Sequence, residues 1–235
     1  MPRRLIAFLV LAVVLAAAFI RLGFWQLSRL AQRRARNAVV AARLSQPQVP
    51  FASLPADSAS VLRKAIVTGT PDFDHEVLLA ARTYEGSPGV WLLTPVHIPG
   101  RDTAVLVNRG WIYAPDGVSV DVGRWREATT TFTGYAELLP PGIASKPEGV
   151  LRRDARIARQ LDLATVQSLV TYPVSPLYLV ATVPDTTRPQ GERVARLAPP
   201  ALDEGPHLSY AIQWFSFAAI ALIGGTAVAV RHRTL

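Results

Sequence analysis

The side chains best placed for chemistry sit near the C-terminal end, in His207-Leu-Ser-Tyr-Ala-Ile-Gln-Trp-Phe-Ser-Phe-Ala218. On a helix, His207, Tyr210, Trp214, Phe217 and Ala221 recur at steps of three and four residues and share a face. A second set, Arg21, Trp25 and Arg29, aligns at i, i+4 and i+8 near the other end of the chain. A neutral imidazole is a ready axial ligand for haem iron, which makes His207 a candidate metal ligand. Tyr210 and Trp214 would wall such a site, and Arg21 or Arg29 is suited to pairing with a propionate. The same residues also suit a plainer role, because Trp, Tyr and His are amphipathic and commonly anchor helices at headgroup depth.

Two apolar segments must position these residues. Ser209–Val230 holds 22 residues without a charge and stops at Arg231-His-Arg233. A spanning helix needs roughly 20 predominantly apolar residues, so a transmembrane helix is expected over 207–230, with 231–235 as a cytoplasmic tail. Leu5–Ile20 is wholly apolar, bounded by Arg3-Arg4 and Arg21. Alone it makes about 24 Å of helix, short of a ~30 Å hydrocarbon core. Continuing through Leu22-Gly-Phe-Trp-Gln-Leu27 supplies the missing length and gives a first span over 1–27. Arg21 then snorkels toward the headgroups and Trp25 lies at the interface. The alternative is a secretory signal cut near Ala16-Ala-Ala18, although the apolar run is long for an h-region of roughly 7–15 residues. Residues 28–46 lack Gly, and Pro is absent from them too. They are expected to continue as an amphipathic helix near the headgroups.

The net charge of +8 resolves once it is located. Residues 1–56 hold eight Arg and no acid, whereas residues 57–230 hold 15 basic and 17 acidic side chains. The surplus therefore flanks the apolar segments, where it can meet anionic lipids. A nucleic-acid-binding domain would carry its own basic face, so nucleic acid is not an expected partner. There is no Cys, which excludes disulfides and thiolate metal sites. Two spans put both termini on one side. Arg231 and Arg233 favour cytoplasmic termini, whereas Arg29, Arg33, Arg34, Arg36 and Arg43 outnumber Arg3 and Arg4 and favour the reverse. Charge alone leaves the orientation open.

Residues 47–206 form the remaining domain, with linkers at Pro47, Pro50 and Pro55 and at Pro-rich 184–206. Strand-like runs are read at Val61–Thr70, Val77–Thr83, Val90–Ile98, Ala104–Tyr113, Thr129–Leu138 and Pro176–Val183, and a helix at Arg156–Val170. The absence of βαβ alternation predicts an α+β domain with a mostly antiparallel sheet or small barrel. No nucleophile elbow, P-loop or H-E-x-x-H motif is present, so no catalytic residues and no enzymatic activity are expected. His75, among Asp72, Asp74 and Glu76, reads as a solvated loop tip, and His97 as a residue near a strand end. Arg109, in Asn108-Arg-Gly-Trp-Ile112, suits a carboxylate, a partner or a propionate. It equally suits a strand end whose Trp fills the core and whose Gly allows a bulge.

Several motifs in order give the chain its resemblance. They are Leu22-Gly-Phe-Trp-Gln26, Arg63 with Gly69, Pro88-Gly89 with Thr94-Pro95, Val105-Leu-Val-Asn-Arg-Gly-Trp-Ile112, and His207 through Phe215. On these the chain resembles the Surfeit locus protein 1 family of cytochrome c oxidase assembly factors. Residues 113–200 match little, and Tyr113 stands where the family often has Pro. The resemblance implies two spans, with the domain outside the cytoplasm on the periplasmic side of a bacterial inner membrane. It implies a role in maturing oxidase subunit I, and in bacterial members delivery of haem a, with the family's His mapping onto His207. Expected partners are then subunit I, the machinery that supplies haem a, and membrane lipids. A mitochondrial presequence is not expected, since the apolar run begins at Leu5. Rival readings are a scaffold that never touches haem and, from another class, a membrane enzyme acting on lipid or cell wall.

Overall fold

The computed structural model describes residues 2–143, 149–152, 155–184, 186–187 and 190–232. They fall into two compact units, Met1–Ala41 with Leu202–Leu235, and Ala42–Ala201.

The first unit is an antiparallel pair of long helices. Helix α1 (Arg3–Leu44) runs unbroken for 42 residues, and α3 (His207–Arg231) for 25. At ~1.5 Å per residue these are about 63 and 37 Å long. Their most apolar windows reach mean hydropathies of 2.8 and 1.6, so both are long and apolar enough to cross a membrane. Small residues set the pairing. On α3, Ala211, Ala218 and Gly225 are buried at seven-residue steps, and on α1 so are Ala16, Gly23 and Leu30. That spacing keeps one seam facing the partner helix and lets the backbones approach. A Cβ at Gly23 would lie 2.6 Å from the Phe215 ring, and one at Gly225 would lie 3.3 Å from Ala12 Cβ. Larger rings fill the space alongside: Phe19 stacks on Trp214 at 5.7 Å and Phe24 meets Phe215 edge-on at 5.4 Å.

The second unit is a mixed sheet. Its strands are β1 (Val49–Pro50), β2 (Lys64–Thr68), β3 (Thr70–Pro71), β4 (Val77–Tyr84), β5 (Ser87–His97), β6 (Val105–Tyr113), β7 (Thr131–Leu138), β8 (Val150–Arg152), β9 (Ile157–Ala158) and β10 (Leu177–Ala181). They pair in the order β1-β2-β7-β10-β6-β5-β4-β9-β8, with β3 against β5. The expectation of a mostly antiparallel sheet needs correction. The pairs β1–β2, β10–β6 and β4–β9 are parallel. Among the described residues the chain between these partners holds other strands, short 3-10 turns and no α-helix longer than the five-residue α2 (Leu163–Gln167), so the βαβ signature of a parallel pair is missing from the sequence.

The helix read over 156–170 also shrinks to α2. Arg156 adopts φ 48°, and Ile157 and Ala158 pair with Leu78 and Leu79 of β4. Asp162 then starts α2, its carboxylate accepting from Thr165 N at 2.8 Å as an N-cap. The Pro-rich segments are partly structural. Phe51 is buried in a core cluster, Val194 in another, and Ala195 bridges Trp111. Apolar clusters cover both faces of the central strands: β6 gives Val105 and Val107 to one, Leu106 to the second and Ile112 to the third. Such coverage fits near-continuous apolar runs better than alternation.

Candidate functional site

His207 is the first residue of α3, and the segment before it is tied firmly to α1. Arg33 donates to the Asp203 carbonyl at 3.0 Å and to its carboxylate at 3.1 Å. Arg34 binds Glu204 through two bonds of 2.8 Å, and Asn37 donates to the Asp203 carbonyl at 2.8 Å. The Arg34 hydrogen bond holds the Glu204 carboxyl below its ordinary range. Gly205, at φ 67°, turns the chain into the helix.

These ties bring the His207 ring against α1, where its Nδ1 lies 2.9 Å from Gln26 Oε1. A carbonyl oxygen only accepts, so Nδ1 carries the proton and donates. With Nδ1 so engaged, Nε2 is the nitrogen free to act as a ligand, and the bond fixes the ring's orientation as outer partners of ligating histidines do.

Around the ring lies a shallow recess of about 270 Å³ lined by Arg29, Gln32, Arg33, Arg36 and His207. Arg29 and Arg36 are exposed. Arg29 rests over the Trp25 ring at 5.4 Å and donates to Gln32 at 3.2 Å. Of the residues singled out in the sequence, His207 and Arg29 share this recess and Trp25 orients Arg29. Arg21 is exposed two helical turns before Arg29 and does not line it. Tyr210 is exposed on α3, whereas Trp214 packs on Phe19 and Phe217 within the helix pair. The sequence does not single out Gln26, Gln32, Arg33 or Arg36 as site residues. Only the i+3, i+4 and i+7 spacing from Arg29 points to the last three.

An iron porphyrin would be held by His207 Nε2, with Arg29 and Arg36 available to its carboxylates. Among the described residues no group of three or more His, Cys, Asp or Glu could hold a bare metal ion. One imidazole with exposed guanidiniums beside it matches an iron centre that carries its own nitrogen ligands and peripheral carboxylates.

In the sheet domain, Arg109 is fully buried. It is the extra residue of a β-bulge, since Leu92 pairs with Gly110 and Leu93 with Asn108. Its guanidinium meets Glu76 at 2.5 Å, Thr94 Oγ1 at 2.7 Å, the Trp125 carbonyl at 2.6 Å and Glu127 at 3.5 Å. Arg196 completes the group, 2.7 Å from Glu127. Burial pushes the Glu76 carboxyl up, against the pull of Arg109 and Thr94. Arg109 pairs with carboxylates and Gly110 (φ 126°) allows the bulge, but Arg109 lies within β6 rather than at a strand end, and Trp111 is half-buried rather than filling the core.

His75 is not a solvated tip. It is half-buried, with Nδ1 2.7 Å from Asp72 Oδ2, and its ring meets Tyr172 edge-on. His97 packs on the same Tyr172 ring at 4.6 Å, and Tyr172 OH donates to Asp72 at 2.8 Å. Burial alone would raise Asp72, but hydrogen bonds from Tyr172 and His75 outweigh it and hold the carboxyl low.

Comparison with known proteins matches residues 13–219 to the SURF1 family. Uncharacterized SURF1-like proteins of Mycobacterium bovis and Mycobacterium tuberculosis are each 32% identical over 226 residues, covering 92% of this chain and 81% of the relative. A SURF1-like protein of Monosiga brevicollis is 27% identical over 215 residues, covering 86% and 79%. One from Rickettsia felis is 24% identical over 212 residues, covering 87% and 88%.

Proposed function

The chain belongs to the SURF1 family, which is linked to cytochrome c oxidase assembly, and we propose that it is a non-enzymatic factor that holds haem a in transit to oxidase subunit I. The observation that carries this reading is the His207–Gln26 hydrogen bond, which leaves one oriented ring nitrogen beside exposed arginines. His207 Nε2 would hold the iron of the haem cargo, and Arg29 and Arg36 would pair with its carboxylates. Ligation by one side chain would suit transfer, because cargo must also leave.

In this reading α1 and α3 cross a bacterial inner membrane, and the sheet domain lies on the periplasmic side. Lipids then surround the helices, and subunit I and the enzymes that make haem a are the partners. Arg21 and Tyr210, exposed and outside the recess, act as interfacial anchors. Trp214 holds the helix pair together.

The experiment compares membranes from the native host, from a deletion strain, and from that strain complemented with His207→Ala. The expected result is loss of the haem a signal with apo-subunit I persisting, in both the deletion and the variant. Full restoration by His207→Ala would overturn the haem role and leave a scaffold that stabilises the apo-subunit.

A further inference from the structure

One cleft in the sheet domain serves none of the roles above. It measures about 540 Å³ and forms where residues 73–78 and 118–126 meet Arg152 and residues 155–157. That volume lies within the ~300–1,000 Å³ typical of small-molecule sites. Its floor is made by three buried residues, Glu76, Leu78 and Ile157. Phe73, Val118, Val120 and Val122, each half-buried, give apolar walls. At the rim stands Arg126, held by Asp74 at 2.7 Å and set 5.8 Å over the Phe73 ring.

Glu76 supplies the second, independent observation. Its side chain is 2% exposed, yet only Oε1 is engaged, by Arg109 and Thr94. Oε2 is buried with no hydrogen-bond partner among the described residues. A buried polar atom left unsatisfied costs about 1–3 kcal/mol, and here the atom belongs to a residue lining a cleft large enough for a ligand.

The charge balance narrows what that ligand can be. The buried group holds two guanidiniums, Arg109 and Arg196, and two carboxyls, Glu76 and Glu127. The cleft lining adds Asp74, Asp121, Arg126, Arg152 and Arg156, so guanidiniums already outnumber carboxyls and a cationic ligand is disfavoured, whereas a neutral hydroxyl is not. A hydroxyl both donates and accepts, so it satisfies Oε2 whether Glu76 is ionised or, as its burial favours, protonated. Arg126 at the rim fits a carboxylate.

We propose that this cleft binds a small organic molecule with an apolar body, a neutral hydroxyl that meets Glu76 Oε2 and a carboxylate that meets Arg126. The test uses the full chain in detergent and the fluorescent probe 6-hydroxy-2-naphthoate, which carries both groups on a rigid apolar frame. The companion probe, 2-naphthoate, lacks the hydroxyl.

Saturable binding of the hydroxylated probe is expected, with the companion about tenfold weaker, the size of one hydrogen bond to a buried carboxyl. Val120→Trp fills the cleft and abolishes binding. Arg126→Ala, at an exposed position, weakens it severalfold and covers the case in which the Trp variant does not fold. His207→Ala leaves it unchanged, which separates this site from the haem proposal. No saturable binding, equal affinity for the two probes, or undiminished binding by a folded Val120→Trp would each overturn the assignment.

Discussion

The two units treat positive charge in opposite ways. In the sheet domain Arg109 is fully buried, and its guanidinium is enclosed by Glu76, Thr94, the Trp125 carbonyl and Glu127. Beside His207, Arg29 and Arg36 stand exposed around an open recess, and only Arg33 and Arg34 are matched by acids, Asp203 and Glu204. A charge inside a protein costs several kcal/mol unless it is paired and hydrogen-bonded, so the buried arginine is committed to the fold. Exposed guanidiniums carry no such commitment, and surface pairs contribute only about 0–1 kcal/mol. Arg109 is architecture; Arg29 and Arg36 beside His207 are open to a ligand.

The largest effect that could break this contrast is on Arg109. Arg109→Ala strands Glu76 in the interior, leaves Glu127 with Arg196 alone and removes about 3–5 kcal/mol of stability, the usual cost of breaking a buried pair. Thermal unfolding followed by circular dichroism reads it. Arg29→Ala should move the same transition by less than about 0.5 kcal/mol. Comparable losses in both variants would erase the distinction between the two regions.

A smaller effect is expected at the helix seam. Gly23→Leu must push Phe215 aside, since even a Cβ lies 2.6 Å from that ring. The cost is about 1–3 kcal/mol of helix pairing, and it should also move His207 away from Gln26. Cross-linking between cysteines placed at Ala16 and Ala218 checks it, with reduced yield expected. An unchanged yield would show that the seam does not set the pairing.

The smallest effect concerns Asp72. Its carboxyl is held low, so it contributes stability above the ordinary carboxylate range and loses it as pH falls through the lowered value. Asp72→Asn should therefore destabilise the domain by about 1 kcal/mol near neutral pH. The gap from the native protein should close below about pH 4. A gap that stays constant with pH would mean that the hydrogen bonds from His75 and Tyr172 do not depend on the charge.

These features differ in how far the chain alone reveals them. Both long helices are plain in sequence, because apolar runs bounded by arginines carry their own length and period. The face shared by His207 and Trp214 follows from helical spacing, but Gln26 does not, since its pairing with His207 spans 181 positions. The strands from Val77 to Tyr113 are legible because turns such as Glu85-Gly86, both at positive φ, punctuate them. The insertion of β10 between β6 and β7 is not, because it is set by contacts across the sheet. Arg109 hides its burial for the same reason. Glu76 and Glu127, which make that burial possible, lie 33 and 18 residues away with no local pattern linking them.

The central claim rests on one nitrogen, and one titration addresses it. The full chain in detergent is titrated with haem a while the Soret band is followed, for the native protein and for His207→Ala. The account predicts an imidazole-ligated spectrum for the native protein, and for the variant the loss of that spectrum with at least about tenfold weaker binding. The thermal transition of the sheet domain should not change. The same spectrum and affinity in His207→Ala would contradict it and return His207 to the role of an interfacial anchor.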